Sequence, residues 1–392
     1  MTFQKHGYGI WNVARREVKR ITTRPIYFFC MLAAPVISLI FFVSLMQNGL
    51  PTNMPVAVVD MDDSANSRNL VRQLDAFMQT DIALKAMSFS DARIAMQKGD
   101  IYGIYYIPKD FATDAATGKQ PIVSFYTNGT YLIAASLLFK EMKTISALAG
   151  SSVSLQTGTA KGYTAEQLMS QIQPIKIDTH AIGNPWLSYS IYLNNILFPG
   201  ILQLLIFLVT VHSIGIEIKE TTSRKWLAMC NNSIMKCVIG KLLPHTFVFT
   251  LVGFSSCAVL YGFNSFPLQS GWLPMLTAMF LLVTASQALG VFMIGVLPTL
   301  RLGLSFASMF GMIAFSITGF SFPVPGMYPP IQALAELFPL RHYFLIYVDQ
   351  ALNGRDMIYT IGEYCWLAGF LVLPFLIKKN LKNALLYFEY IP

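Results

Sequence analysis

The chain has 392 residues, of which 54% are apolar and only 12% charged, with a formal net charge of +8. Soluble domains carry roughly a quarter charged residues, so this composition excludes an ordinary water-soluble protein and requires lipid as part of the solvent. The positive charge lies beside long uncharged runs; it reads as attraction to anionic lipid rather than to nucleic acid.

In chain order, residues 1–25 come first. "YGIWNVARREVKRITTRP" places Ile10, Trp11, Ala14, Val18 and Ile21 on one helical stripe and Arg15, Arg16, Lys19 and Arg20 on the rest, which predicts a cytoplasmic amphipathic helix at the membrane interface. Residues 26–47 are uncharged and long enough to span. More than twenty residues precede this span and no A-x-A site follows it, so an uncleaved anchor is expected rather than a cleaved signal peptide.

Residues 48–190 form the expected extracytoplasmic domain. "MPVAVVDMDDSANSRNLVRQLDAF" reads as a strand at Pro55–Val59, a turn at Asp60–Ser64 and a helix at Arg68–Phe77. Asp60, Asp62 and Asp63 could hold a cation, but capping of the following helix is the favoured reading. A helix at Asp91–Gln97 ends at Gly99, and a strand follows at Ile101–Ile107. Pro108 begins a turn anchored by Phe111, and "QPIVSFYTNGT" gives another strand with a turn at Asn128-Gly129. A long helix from Tyr131 to about Gln156 leads to a Ser/Thr/Gly-rich tip ending at Tyr163, and "IKIDTHAI" predicts a returning strand. Strands alternating with helices make this an α/β domain. It carries no nucleophile elbow, no convincingly spaced acid pair and no zinc-type histidine cluster.

Residues 191–392 hold five more spans, near 193–216, 240–262, 272–296, 302–322 and 360–377. Leu242–Leu300 contains no Lys, Arg, Asp or Glu, and "YGFNSFPLQSG" at 261–271 divides it into two spans. Pro199-Gly200 predicts a kink in the second span. Short basic loops stay in the cytoplasm; the basic head, the 217–239 loop and the tail with Lys378, Lys379 and Lys382 therefore place both termini there. The five cysteines (Cys30, Cys230, Cys237, Cys257 and Cys365) all lie outside 48–190, so no disulfide framework is expected. The fold class is an α-helical polytopic membrane protein with six transmembrane helices and an inserted α/β extracytoplasmic domain.

His212, His245 and Glu363 are the ionisable groups within or near the spans. They form no relay of acids, and neither inverted repeats nor midplane charges are visible, which argues against an ion-coupled carrier. A mostly apolar set of spans suits a hydrophobic or amphipathic cargo, drug-like or lipid-like. Gly118-Lys119 and Gly240-Lys241 lack the upstream glycine and following hydroxyl of a phosphate-binding loop, so the chain has no motor of that type.

One span, a large external domain and five more spans, in that order, resemble the permease subunits of ABC-2-type exporters. The motifs that carry the resemblance are "VAVVDMDDSANSRNLVRQL", "QKGDIYGIYYIPKDF", "GNPWLSYSIYLNNILFPGI", "IGIEIKETTSRKWLAMCNNSIMKCVIGKLLP" and "ITGFSFPVPGMYPPIQALAELFPLRHY". Glu217, Glu220, Thr221 and Gly240-Lys241 match the family's charged loop and the entry to its third span. Here Ile-Glu stands for the family's Arg-Glu, and Thr-Thr or Thr-Ser for its Gly-Thr.

The resemblance implies a bacterial inner-membrane permease that works as a homo- or heterodimer with a separate ABC ATPase subunit, which binds ATP and Mg. A periplasmic membrane-fusion adaptor is a further partner it suggests. It implies a coupling loop made of Glu217, Lys219, Glu220, Thr221, Thr222, Arg224, Lys225 and Trp226, with Trp226 seated in a groove of the ATPase. Trp11, Arg15, Arg16, Lys19 and Arg20 would form its connecting helix. Residues 323–345 would be re-entrant helices at the outer mouth, shaped by Pro323, Pro325, Pro329, Pro330 and Pro339, with Arg341 and His342 meeting head groups or substrate. A different class stays open: a non-transporting membrane scaffold whose external domain binds an envelope partner.

Overall fold

A computed structural model describes residues 9–175 and 178–388. The chain divides into two compact units, one running up to Gln47 and resuming at Ala181, the other covering Asn48–His180.

The smaller unit is built on a four-stranded sheet of β1 (Met54–Asp60), β2 (Thr80–Lys85), β3 (Gly103–Ile107) and β4 (Ser124–Thr127). Its order is β2-β1-β3-β4; β1 is parallel to both neighbours and β4 runs antiparallel to β3. Helices α3 (Ala65–Asp75), α4 (Phe89–Lys98), α5 (Phe111–Ala116), α6 (Leu132–Ala160) and α7 (Ala165–Ile172) complete it. Central strands of parallel sheets are buried on both faces, which is why β1 reads "VAVV": Val56 and Val58 pack under Leu74, Leu138 and Met142, while Ala57 and Val59 meet Ala92 and Ile104.

The aspartates after β1 serve the turn. Asp60 accepts from the backbone of Asp62 and Asp63 at 3.0 Å each, Asp62 accepts from Ala112 N, and Ser64 is the N-cap of α3. The Ser/Thr/Gly-rich tip is helix to Ala160, and its hydroxyls turn back onto carbonyls of the preceding turn, as Thr157 does to Val153 O at 2.8 Å. The strand expected at "IKIDTHAI" does not form among its described residues; Lys176 and Ile177 lie outside them. The unit closes at His180 rather than 190, since Gly183 comes up against Asn353 of the larger unit.

The larger unit opens with α1 (Ile10–Thr23). Among the described residues, six helices long and apolar enough to cross a membrane follow: α2 (Pro25–Leu45), α8 (Tyr189–Lys219), α10 (Ile234–Phe263), α11 (Trp272–Val296), α12 (Leu300–Ile317) and α15 (Met357–Tyr387). Between them lie the short α9 (Ser223–Ala228), α13 (Pro329–Ala335) and α14 (Pro339–Ile346). α8 and α11 are buried along most of their length and form the centre, while α2, α12 and α15 expose apolar surface around them. α8 passes through Pro199 as one helix, and Pro199 is itself buried in the packing.

Four of the five prolines between α12 and α15 open or border short helices: Pro323 and Pro325 around a single turn at Val324–Gly326, Pro329 at the start of α13 and Pro339 at the start of α14. Arg341 and His342, expected to meet head groups or substrate, both pair with groups of the chain itself. Arg341 Nε lies 2.9 Å from Glu336 Oε1, and His342, fully buried, sets Nδ1 2.6 Å from Glu363 Oε2 and Nε2 2.9 Å from the Glu336 carbonyl, its ring stacked on Trp366. The two carboxylates occupy both side chains; Arg341 retains a 13% exposed edge.

Candidate functional site

α1 has two faces. Val13, Ala14 and Glu17 are buried against α10, whereas Trp11 and Val18, expected on the same stripe, are 76% and 49% exposed. The approach is close because Gly240 lies beneath α1: a Cβ there would stand 2.7 Å from the Ile10 carbonyl oxygen and 3.0 Å from Val13 Cβ. At the other end of the contact Gly9 N donates to Met229 O at 3.1 Å.

Under this helix sits a cluster of charges taken from three elements. Lys241 Nζ, on α10, bridges Glu17 Oε2 of α1 at 2.8 Å and Glu217 Oε1 of α8 at 2.9 Å; none of the three side chains exceeds 1% exposure. Glu217 also accepts from Arg16 Nη2 at 2.8 Å, from Arg20 Nη1 and from Thr222 Oγ1. Four donors fill the lone-pair positions of its carboxylate. Arg20 and Arg24 go on to Glu220, at 3.4 and 2.9 Å. His245 Nε2 stands 3.4 Å from Glu17 Oε1, and the Lys241 ammonium lies 5.1 Å from the centre of the Trp226 ring.

Burial by itself would raise the Glu17 carboxyl; the His245 ring 3.4 Å away and the charge of Lys241 outweigh it and hold the group near 2. Glu17 is therefore a carboxylate at every physiological pH. The cluster ties α1, the end of α8, α9 and the start of α10 together with paired charges in a poorly solvated place, where an unpaired one is costly.

The expected coupling residues separate into two groups. Glu217 and Trp226 are fully buried, and Thr222 is spent on Glu217. Trp226 is therefore not free to seat in a partner's groove: its ring lies inside the chain's own core under Lys241, and its carbonyl is 3.4 Å from Cys237 Sγ. Lys219, Thr221, Arg224 and Lys225 are exposed, as are Trp11, Arg15 and Lys19 of α1, while Arg16 and Arg20 turn into the cluster. Glu220, partly exposed, faces Arg20 and Arg24.

Glu17, Arg24, Lys241 and His245 complete the cluster and were not singled out together from sequence. Two signals mark them. Glu17 is the lone acid of a basic head and falls on the apolar side of the helix, and Lys241 borders the longest uncharged run of the chain.

Thr221 turns the chain between α8 and α9 with φ of 54°, a left-handed conformation that a β-branched residue adopts at a cost. Thr221→Gly is expected to raise stability by about 1 kcal/mol, read as an upward shift of the thermal midpoint in detergent; an unchanged or lower midpoint would mean the turn is unstrained.

The comparisons agree with this architecture. The model of the ABC-2 family transporter proteins matches residues 25–377. The chain belongs to that family, and with its six apolar helices it is a multi-pass membrane protein of the permease type. It is 21% identical over 375 residues to the linearmycin resistance permease protein LnrN of Bacillus subtilis (strain 168), covering 92% of this chain and 95% of that one. No solved structure matches. The family match begins at Pro25, so α1 and Glu17 precede it.

Proposed function

We propose that this chain is the transmembrane half of an ATP-driven exporter, moving a hydrophobic or amphipathic molecule out of the cytoplasm or the inner leaflet, with ATP and Mg bound on a separate ABC ATPase. The observation that carries the reading is the locked junction of α1, α8, α9 and α10. ATP-driven motion has to cross a subunit boundary, and a lever transmits force only if it does not bend. The buried Glu17–Lys241–Glu217 bridge supplies the stiffness, and Trp11, Arg15, Lys19, Arg224 and Lys225 supply an exposed basic ridge for docking. The resistance permease relative supports export of a toxic small molecule. The concentration of Lys and Arg at this junction supports a cytoplasmic position for it, in a bacterial inner membrane, with residues 48–180 on the opposite side. A second permease copy and a periplasmic adaptor belong to the same reading.

The test is co-purification with the ATPase. Reversing Arg224 and Lys225 together to Glu is expected to cut ATPase recovery about tenfold or more, because opposed charges at a rim change to like charges, while the thermal midpoint stays put. In the same membranes an impermeant maleimide should reach a cysteine at Thr159 from outside and miss one at Asn231. Full ATPase recovery by the reversed variant would leave the ridge as a solvated loop, and labelling of both cysteines from one side would overturn the orientation.

A further inference from the structure

A groove of about 640 Å³ opens on the side of the larger unit between α10, α11 and α15. It does not touch the charge cluster. Its walls are apolar, with Leu243, Phe247 and Phe375 among them, but its floor is not. Gln287 of α11 is 3% exposed. Its Oε1 accepts from Thr246 Oγ1 at 2.6 Å, whereas among the described residues its Nε2 has no partner, and neither has the buried Oγ1 of Thr250 one turn further along α10. Thr246, Thr250 and Gln287 all line the groove.

An amide N–H₂ and a hydroxyl left unpaired in hydrocarbon each cost free energy, since no water is present to satisfy them. A ligand that fills the groove with methylenes and offers one oxygen to Gln287 Nε2 and Thr250 Oγ1 removes that cost. Depth narrows the class. At 1.5 Å per residue Gln287 lies about 22 Å from the Trp272 end of α11 and about 14 Å from its Val296 end, near the middle of a hydrocarbon core roughly 30 Å thick. The ester carbonyls of a bilayer glycerolipid sit at the edge of that core, about 10 Å too far out. A plain acyl tail reaches the floor but brings no oxygen.

We propose that this groove is a binding site for a long-chain amphipath carrying a hydroxyl or carbonyl part-way along its apolar chain, taken up from the bilayer and recognised by Gln287 and Thr250. The site goes beyond the export reading and does not need it: binding from lipid is measurable with no ATPase present.

The experiment uses the full chain in nanodiscs and two probes of equal length, stearic acid and 12-hydroxystearic acid, with affinity measured by native mass spectrometry. One buried hydrogen bond to a previously unpaired donor predicts about tenfold tighter binding of the hydroxylated probe. Gln287→Leu should erase that preference and leave stearic acid affinity unchanged, and Thr250→Val should reduce it. Equal binding of both probes to the unmodified protein overturns the proposal, whether or not the variants fold. A preference that survives Gln287→Leu overturns the assignment to this groove.

Discussion

Lys241→Met is expected to destabilise the larger unit by roughly 3–5 kcal/mol, the range for removing one partner of a buried ion pair. The lysine ammonium is fully buried and is shared by two carboxylates. Without it Glu217 keeps Arg16, Arg20 and Thr222, but Glu17 is left with His245 at 3.4 Å and a distant Arg20 at 3.9 Å. The damage therefore falls mainly on Glu17, and Glu17→Gln in the same chain should restore part of the loss, so that the double variant is more stable than the sum of the singles predicts. The cluster also has a pH signature. The Glu17 carboxyl drops from 4.5 to about 2 on folding. Its contribution is complete above the unfolded value of 4.5 and disappears as pH falls toward 2. Thermal midpoints measured from pH 7 down to 3 should fall in the unmodified protein below about pH 4.5 and fall less steeply in Glu17→Gln. A Lys241→Met midpoint within a degree or two of the original would show that the cluster contributes no stability.

Gly240→Val should release α1 from the bundle. The new Cβ meets a backbone carbonyl and the Cβ of Val13, neither of which can swing aside as the end of a flexible side chain could. The helix must lift, and with it Arg16, Arg20 and Glu17 leave the cluster. Trypsin reports this directly, because Arg15 and Lys19 already face solvent and only helical structure protects the bonds beside them. Cleavage within α1 should quicken by about tenfold or more, as expected when local opening becomes easier by about 1.4 kcal/mol. Gly362→Ala is the control, since nothing lies within 4 Å of a Cβ there. Unchanged digestion of Gly240→Val would mean that α1 is not held by this contact.

The six spans were legible because hydrocarbon imposes a minimum length and bars charge, and Trp272–Val296 agrees to the residue with the expected 272–296. Other ends moved: α2 and α12 stop early, at Leu45 and Ile317 rather than 47 and 322, whereas α8 runs from Tyr189 to Lys219 rather than 193–216, because a helix continues through polar residues once they find partners: Glu217 is helical and saturated. In the smaller unit β1 and β3 were readable from buried β-branched and aromatic runs. β2, "TDIALK", was missed as a half-exposed edge strand whose alternation spans only six residues. Within the candidate site, periodicity correctly made the head an amphipathic helix, yet it could not tell which apolar stripe meets protein and which stays exposed. Trp11 and Val13 both count as apolar, and the close approach at Gly240 buries only Val13. The direction in which a charged residue points was likewise invisible. Glu217 and Trp226 read as a docking surface because partners for them lie 197 and more residues away, for Glu217 on α1, or behind them on α10.

That separation bears on how the chain is made. Glu17 is joined to Lys241 across 224 residues, an interval that includes two spans and the whole of the smaller unit. Synthesis runs from the N-terminus at about 5–20 residues per second, so Glu17 waits on the order of ten seconds or more for its counter-ion. During that interval α1 must rest on the membrane surface by its own amphipathic character, its acid still hydrated. The junction closes only after α10 has emerged, which makes its assembly a late proof that the first and third spans have been inserted with these two ends on the same side of the membrane. A chain inverted at either span would put Glu17 and Lys241 on opposite sides of the bilayer and could never complete the bridge.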